Sequence, residues 1–369
     1  MTVLVLFGIA ISSFLLTWGA IHYAKSKNLL DIPNERSSHD VETPRGGGIS
    51  FVLISLVGLA LFTIFLGFEG GWAWLLFSSL IVVTISYIDD HGHVSSKNRF
   101  IAHLIACCSV VYFFCPFPVV PLLGLNLQFG VLGLFMGMIL LTWLLNLYNF
   151  MDGIDGIASI EALFISISLL ILVGIPVAQV GEFRELTIQQ EGYAILCLLI
   201  IFSVVGFTFW NWPTARIFMG DIGSGFLGFF LGALGLYAAG KEWITIWTVL
   251  IIFGVFLVDA TITLLLRMYR GESWLQPHRT HFYQRITDKI ILFRKRRLEN
   301  KEMKPSQSEL RKYAHQLVNV GVIFINICWL LPAAMLSVYY PQWGVVIMFT
   351  AFLPMILIVA KDRISREKM

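Results

Sequence analysis

The stretch "VLGLFMGMILLTWLLNLYNFMDGIDG", residues 131–156, decides the fold. It begins with fifteen residues that carry no charge, and about 20 apolar residues are enough to cross a bilayer as a helix. Polar side chains then follow at every third position, at Asn146, Asn149, Asp152 and Asp155. Residues three apart are neighbours on a helix, so the stretch predicts a set of oxygen ligands at the end of an apolar helix.

The whole chain has the composition of a membrane protein. Of its 369 residues, 57% are hydrophobic and 13% are charged, whereas soluble domains carry about 25% charged residues. The mean hydropathy is +0.79. The five cysteines lie within apolar runs and lack the spacing of metal ligands or of a disulfide framework. The composition predicts an all-α polytopic membrane protein that forms a single integral membrane domain over residues 1–369.

Eleven apolar runs are candidate transmembrane helices. They lie near residues 2–22, 49–67, 72–88, 99–115, 130–147, 157–179, 192–210, 225–239, 243–266, 316–338 and 343–360. The first run is expected to be retained, because it lacks the basic segment and the cleavage site of a signal peptide. With the N-terminus outside, 24 of the 26 Lys and Arg residues fall on the inner side, as the positive-inside rule requires. We therefore expect the N-terminus outside and the C-terminus in the cytoplasm.

The polar motifs all fall on connections that this topology places in the cytoplasm. These connections are residues 23–48, 89–99, 148–156, 211–224 and 267–315. The connections expected outside carry no comparable cluster, and residues 116–130, which are interrupted by proline and glycine, predict a short hairpin. Any chemistry is therefore expected at the inner surface of the cytoplasmic membrane.

Five carboxylates stand out in these connections. A single aspartate at a helix end is commonly a cap or a surface group, and Asp221 between glycines could favour a turn. Five acids on one membrane face, next to anionic headgroups, instead favour a bound cation. Mg²⁺ suits them because it takes one or two carboxylates and completes its octahedron with water and phosphate oxygens, and Mn²⁺ is a possible substitute. The five acids are Asp89, Asp90, Asp152, Asp155 and Asp221.

Candidate anion-binding elements accompany the acids. Arg45 precedes three glycines at positions 46–48, whose amides at a helix start can approach a phosphate. Arg279 lies between His278 and His281, although such a basic loop could also contact only lipid headgroups. Carboxylates, a metal ion and surrounding cations are typical of a phosphoryl-transfer site, where catalysis is mainly positioning and charge neutralisation.

Four motifs, in this order, resemble those of the polyprenyl-phosphate N-acetylhexosamine-1-phosphate transferases, which form glycosyltransferase family 4. They are "DDHGHVSSKNR" (89–99), "NLYNFMDGIDGIA" (146–158), "NWPTARIFMGDIGSGFLG" (211–228) and "PHRTHFYQR" (277–285). The opening "RSSH…TPRGGG" (36–48) and the spaced histidines of "HRTH" look more like the members that initiate O-antigen. The peptidoglycan enzyme of the family would show consecutive histidines there.

The resemblance implies a reaction. A UDP-sugar would give its N-acetylhexosamine-1-phosphate to undecaprenyl phosphate and leave UMP, with Mg²⁺ required. UDP-GlcNAc is the first choice of donor, and UDP-FucNAc and UDP-QuiNAc are alternatives. The product would begin O-antigen or another cell-envelope polysaccharide. A direct attack and a phospho-enzyme route both stay open. The resemblance also allows a homodimer, and no nucleic acid partner is expected.

The resemblance also implies roles for the motif residues. The expected catalytic residues are Asp89, Asp90, Asp155, His278 and His281. The expected substrate-binding residues are Arg45, Asn149, Asp152, Asn211, Phe218 and Arg279. Asp221 is the expected metal ligand. Among them, Phe218 would stack on uracil and Asn211 would bond to the uridine. Adjacent helical side chains point about 100° apart, so only one of Asp89 and Asp90, by preference Asp89, is expected to reach the lipid phosphate.

Other classes of protein predict different patterns. A transporter would place its acids near the middle of the membrane with access from both faces, whereas these acids lie on one face. A CDP-alcohol phosphotransferase should continue its Asp-Gly pair with Ala-Arg, and Ile157 and Ala158 follow Gly156 instead. A lipid-binding scaffold would not need Mg²⁺. Two acids fall inside apolar runs, Glu161 and Asp259, where such residues are usually paired or functional, and we expect Asp259 to be structural.

Overall fold

α-Helices make up nearly all of the computed structural model, which describes residues 2–33, 41–66, 71–92, 94–179, 187–272 and 279–364. The first eight helices are α1 Thr2–Ser26, α2 Ile49–Leu66, α3 Trp72–His91, α4 Ser96–Phe113, α5 Gly130–Met151, α6 Ile157–Gln179, α7 Ile188–Asn211 and α8 Asp221–Gly240. They are followed by α9 Ile246–Ile252, α10 Gly254–Tyr269, α11 Phe282–Glu299, α12 Gln307–Ile325, a π-helical turn at Asn326–Leu330, α13 Leu331–Tyr339 and α14 Gly344–Ile364. Two antiparallel ribbons pair β1 Leu30–Asp31 with β2 Thr43–Pro44, and β3 Val120–Leu122 with β4 Leu125–Leu127.

Eight helices within the described residues are long and apolar enough to cross a membrane. They are Val3–Ser26, Trp72–His91, Gly130–Met151, Ile157–Ile175, Ile188–Asn211, Asp221–Gly240, Gln307–Tyr339 and Pro341–Asp362. The pair α9 and α10 passes the same test only when taken together. The protein is therefore an all-α polytopic membrane protein, as predicted. Each of the eleven predicted spans coincides with a helix or a helix pair, while the number eleven and the orientation stay predictions.

The span predicted over 243–266 is not one straight helix. It is broken at Phe253, and α9 and α10 are bent by 82° relative to each other. The sequence pattern could not show this break, because apolar residues continue on both sides of it. By contrast, α12, the π-helical turn and α13 run on as one 33-residue helix, which is longer than the predicted span over 316–338.

α8 forms the centre of the bundle. All of its residues from Ile222 to Ala239 are buried, as expected for a helix that is apolar all round. Its glycines allow neighbouring helices to approach closely. A Cβ on Gly228 would lie 2.6 Å from Tyr148 Cβ, and one on Gly232 would lie 2.7 Å from Leu141 Cδ1. α8 therefore holds its first residue, Asp221, at a fixed depth among the surrounding helices.

The predicted hairpin within 116–130 is confirmed as the β3–β4 ribbon. It packs at the end of the bundle away from α8's first turn, where the Leu123 amide donates to the Gln342 carbonyl at 3.0 Å. The described parts of the motif-bearing segments meet at the opposite end, as the contacts below show. The bundle therefore carries the β3–β4 ribbon at one end and the predicted site residues at the other.

Candidate active site

Asp90 fixes the start of α8. Its two carboxylate oxygens accept hydrogen bonds from the amides of Asp221 (3.2 Å) and Ile222 (3.1 Å). Gly220, which precedes α8, has a φ of 77°, a backbone conformation that favours glycine. A Cβ there would also lie 2.9 Å from Asp90 Oδ2. Asp90 is buried, and its carbonyl oxygen accepts a hydrogen bond from Arg45. Its catalytic role stays a prediction, and the structure gives it a positioning role.

Asp89 and Asp221 share one guanidinium group. Arg99 Nη1 donates to Asp89 Oδ2 and to Asp221 Oδ2 at 3.1 Å. The Asp89 side chain is 14% exposed and the Asp221 side chain 35%, so the second carboxylate is the more accessible. The Val94 amide also donates to Asp89 Oδ1 at 3.1 Å. The structure therefore joins the first and third motifs through Arg99.

Asp152 follows the last residue of α5 and lies among other acids. None of the described residues donates a hydrogen bond to its carboxylate. Burial, together with the negative charges of three neighbouring carboxylates, raises the pKa of Asp152 to about 7. These belong to Asp221, Asp155 and Asp90. Asn149 Nδ2 donates to Ser224 Oγ at 3.1 Å in the first turn of α8. Asn146 instead donates to the Thr142 carbonyl of its own helix at 2.7 Å.

The charged residues at the start of α8 form an acidic group. Four carboxylates and two guanidinium groups meet there, from Asp89, Asp90, Asp152, Asp221, Arg45 and Arg99. With all acids ionised, this group has a net charge of minus two. Among the described residues, no three His, Cys, Asp or Glu side chains form a ready metal cluster. Mg²⁺ needs only one or two protein carboxylates, so the donor set is compatible with it, and Asp221, with Asp152 beside it, would hold such an ion.

The glycines at 46–48 have a packing role rather than the predicted phosphate-binding role. The amides of Gly47 and Gly48 donate to the carbonyl oxygens of Phe218 and Met219 at 2.9 and 2.8 Å. A Cβ on Gly48 would lie 2.5 Å from Gly223 Cα. The backbones of α2 and α8 therefore approach each other too closely for any other residue, and these two amides are not available to a phosphate.

Asn211 is also a positioning residue. Its Oδ1 accepts from the Gly156 amide at 3.0 Å, and its Nδ2 donates to the Ile217 carbonyl at 3.0 Å. Its exposed fraction is 3%. Its two polar atoms thus join the second and third motifs, and the predicted hydrogen bond to uridine stays a prediction.

Asp155 connects three segments. Its Oδ2 accepts from the Ala215 amide at 3.1 Å and lies 3.2 Å from His315 Nδ1. Its carbonyl oxygen accepts from Asn319 Nδ2 at 2.8 Å. Asp155 is buried. Its predicted catalytic role stays a prediction, and the structure adds that α12 packs directly on the loop that carries it.

Phe218 lines a pocket beside Asp155. Its volume is about 40 Å³, and its other walls come from β2, the 214–215 loop and α12. Phe218 is half-buried, and its amide donates to the Pro44 carbonyl at 2.8 Å. The cationic residues of this pocket are Arg311 and Lys312 on α12. The structure therefore places the predicted uracil-stacking ring in a pocket that also holds basic side chains.

The fourth motif is described from Arg279 onward, and His278 lies outside the described residues. Arg279 Nη2 donates to Asp288 Oδ1 at 2.7 Å. His281 is 4% exposed, and its Nδ1 lies 3.5 Å from Asp259 Oδ1. In this structure His281 therefore lies against protein rather than in an open cleft. Its predicted contact with the pyrophosphate stays a prediction.

Asp259 repeats the arrangement of Asp90 at the start of α11. Its carboxylate oxygens accept from the amides of Phe282 (2.8 Å) and Tyr283 (3.0 Å), and Thr263 Oγ1 donates to it at 3.1 Å. The expectation that Asp259 is structural agrees with these contacts. Glu161, the other acid within an apolar run, accepts from Asn326 Nδ2 at 2.7 Å in the π-helical turn.

Gly153 allows α11 to approach the second motif. Tyr283 Oη donates to the Phe150 carbonyl at 3.3 Å. A Cβ on Gly153 would overlap the Tyr283 hydroxyl and would lie 3.1 Å from its Cζ. A larger residue at position 153 would therefore collide with Tyr283. The sequence alone showed Gly153 only as part of an Asp-Gly pair.

Several residues of the site were not predicted. Arg99 lies within the first motif, but a sequence does not show which acids an arginine will join. His315 and Asn319 lie on α12, outside every motif, and no signal in the chain marked them. Both lie on a helix that carries polar and apolar residues. Which of its polar residues are buried becomes known only from the packing of the helix.

Comparisons with known proteins agree with this site. The sequence model of glycosyl transferase family 4 matches residues 72–239, which run from α3 to α8 and include the first three motifs. A Bacillus subtilis protein named "Probable undecaprenyl-phosphate N-acetylglucosaminyl 1-phosphate transferase" is 27% identical over 262 residues, which cover 70% of this chain and 69% of that protein.

Two further relatives have related names. The phospho-N-acetylmuramoyl-pentapeptide-transferase of Listeria monocytogenes is 27% identical over 246 residues, covering 62% of this chain and 69% of that protein. The decaprenyl-phosphate N-acetylglucosaminephosphotransferase of Mycolicibacterium smegmatis is 28% identical over 279 residues, covering 69% and 67%. The resemblance carried by the motifs is thus confirmed: residues 72–239 match the model of glycosyl transferase family 4, and the three relatives have names of the same kind.

Proposed function

We propose that the protein transfers N-acetylhexosamine-1-phosphate from a UDP-sugar to undecaprenyl phosphate and releases UMP. One observation carries this proposal: Asp89, Asp152 and Asp221 meet at one end of an apolar bundle, beside the pocket walled by Phe218. A lipid phosphate and a soluble nucleotide can both reach such a place, because it lies where the apolar helices end. The related names of the three curated relatives support the same reaction class.

In the proposed site, Asp221 and Asp152 hold Mg²⁺. When bound, the ion neutralises negative charge on the diphosphate of the donor. Arg99 positions Asp221 and Asp89 together, and Asp89 orients or deprotonates the lipid phosphate. An oxygen of that phosphate forms a bond to the sugar-bearing phosphorus, the bond from this phosphorus to the bridging oxygen breaks, and UMP leaves. Asp90 and Asn211 take no direct part, since they hold the loops in position.

The proposed donor is UDP-GlcNAc, with UDP-FucNAc and UDP-QuiNAc as the alternatives. The spaced histidines of the fourth motif support a role in starting O-antigen or another envelope polysaccharide. The proposed location is the bacterial cytoplasmic membrane, with the site facing the cytoplasm.

The test is to incubate purified protein with undecaprenyl phosphate and a panel of UDP-sugars, with and without Mg²⁺, and to measure UMP. We expect UMP only when lipid, one UDP-N-acetyl sugar and the metal are all present. Protein reconstituted in liposomes serves as the second arm. Uptake of a nucleotide sugar without UMP release would favour a transporter and contradict the proposal.

A further inference from the structure

α12 brings an unusual histidine to the proposed nucleotide pocket. His315 is 2% exposed, and neither of its ring nitrogens makes a hydrogen bond within the described residues. Its Nδ1 lies 3.2 Å from Asp155 Oδ2, but at an angle that forms no hydrogen bond. Buried polar groups are nearly always hydrogen-bonded. A buried ring with an unused nitrogen beside a pocket therefore requires an explanation.

His315 is not needed to attach α12 to the loop of Asp155. Asn319, one turn further along the same helix, already donates to the Asp155 carbonyl at 2.8 Å. His315 instead lines the pocket together with Asp155 and Phe218. With about 40 Å³, the pocket has room for about three water molecules. The edge of one planar ring fits such a space, and a whole nucleotide does not.

Asp155 determines which proton the neighbouring ring carries. A carboxylate only accepts hydrogen bonds, so the Asp155 oxygen next to Nδ1 favours the tautomer with its proton on that nitrogen. The Nε2 of the neutral ring is then an acceptor. Uracil presents an N3–H donor on the edge opposite its sugar, whereas cytosine has an unprotonated nitrogen at the same place. An acceptor here therefore distinguishes the two bases.

We infer that His315 is a specificity-determining residue that accepts the N3–H of uracil, while Asp155 positions its ring. The inference rests on the proposed function, because it assumes that the uracil edge of a uridine nucleotide enters this pocket. It goes beyond that function in assigning base discrimination to α12. This helix lies outside residues 72–239, so the matched region does not contain the residue that reads the base.

The test measures UMP and CMP binding to the purified full-length protein by titration calorimetry. Wild-type protein should bind UMP more tightly than CMP. In His315→Phe, we expect roughly tenfold weaker UMP binding, which is the loss of about one hydrogen bond, and unchanged CMP binding. Asn319→Ala is the matched control, because it removes another polar contact of α12 with the Asp155 loop. This control should lower the melting temperature and keep the UMP preference.

A second measurement does not depend on a substitution. The N3-methyl derivative of UMP cannot donate from N3, so wild-type protein should bind it no better than His315→Phe binds UMP. If His315→Phe keeps the wild-type ratio of UMP to CMP affinity, or if Asn319→Ala loses it equally, the inference is wrong while the proposed function stands. If wild-type protein binds no UMP and releases none in the transferase assay, the proposed function fails and the inference fails with it.

Discussion

Asp90 holds the helix that carries Asp221: the Asp221 amide donates to Asp90 Oδ1 at 3.2 Å. The first amides of a helix have no partner within the helix, and a negative charge near them is stabilising. Asp90 on α3 thus provides the hydrogen-bond acceptors that the first amides of α8 lack within their own helix. The same device recurs where Asp259 of α10 accepts from the first amides of α11. Two of the site's segments therefore depend on buried carboxylates that need not touch a substrate.

These two acids should be important for stability. Asp90→Ala and Asp259→Ala each leave two buried amides without acceptors, and we expect each to reduce the free energy of unfolding by about 1–3 kcal/mol. Thermal unfolding in detergent measures the effect. Glu299→Gln, at an exposed position on α11, is the control and should leave the melting temperature unchanged. Unchanged melting of Asp90→Ala would show that the contact contributes little.

Gly153 and Tyr283 should behave as a coupled pair. Gly153→Ala places a methyl group on the Tyr283 hydroxyl, and such overpacking costs about 1–3 kcal/mol. Tyr283→Phe removes that hydroxyl, so the double variant should recover at least half of the loss. Melting temperatures of the two single variants and the double variant form the cycle. Strictly additive losses would mean that the two residues do not meet.

Phe218→Ala should weaken nucleotide binding. If the ring stacks on uracil, its removal should cost about 1–3 kcal/mol, the scale of a base stacked on an aromatic side chain. The measurement is the affinity for UMP and for the UDP-sugar donor. Phe293→Ala, which removes a ring that is 70% exposed on α11, is the matched control. Equal affinities in both variants would exclude Phe218 from the site.

Asp221→Asn should abolish most turnover and keep the fold. The amide preserves the shape but removes the charge that would hold Mg²⁺, and loss of such an electrostatic contribution costs a factor of about 10² to 10³. UMP release at several Mg²⁺ and Mn²⁺ concentrations is the measurement. Higher metal should restore some activity, whereas additional lipid acceptor should not. Near wild-type turnover would contradict the assignment of Asp221 as a metal ligand.

The orientation can be tested with reporter fusions. Since 24 of the 26 Lys and Arg residues fall on the predicted inner connections, a reporter after Lys368 should be cytoplasmic. A reporter within residues 182–190 should be outside. The reverse pattern would place every site residue on the other face of the membrane.

The prediction from sequence succeeded where one pattern was enough. Apolar runs of helix length located α5, α7 and α8, and the motif order indicated which ends would meet. It failed where a residue's role depends on a distant partner. Gly47 and Gly48 have the residue type of a phosphate-binding loop, but their amides donate to carbonyl oxygens of the third motif. The Asn211 side chain likewise bonds to backbone groups of the second and third motifs.

The same limit explains the break in the span over 243–266. Hydropathy reports only whether a segment tolerates lipid, and both α9 and α10 do. An 82° bend separates them at Phe253, which is fully buried. His315 was missed for a related reason, because a single histidine among basic residues looks like a surface group until its burial is known.

The burial of α8 has a consequence for how the protein is made. Its main packing partners are α2, α3, α4, α5, α6 and α9, and all of these except α9 are synthesised before it. Helices inserted one after another associate within the membrane. When α8 is inserted, most of the helices that surround it are therefore already present. A nascent chain that ends at Gly240 already contains the acidic group around Asp221. The histidines of the fourth motif and α12 arrive only later in translation.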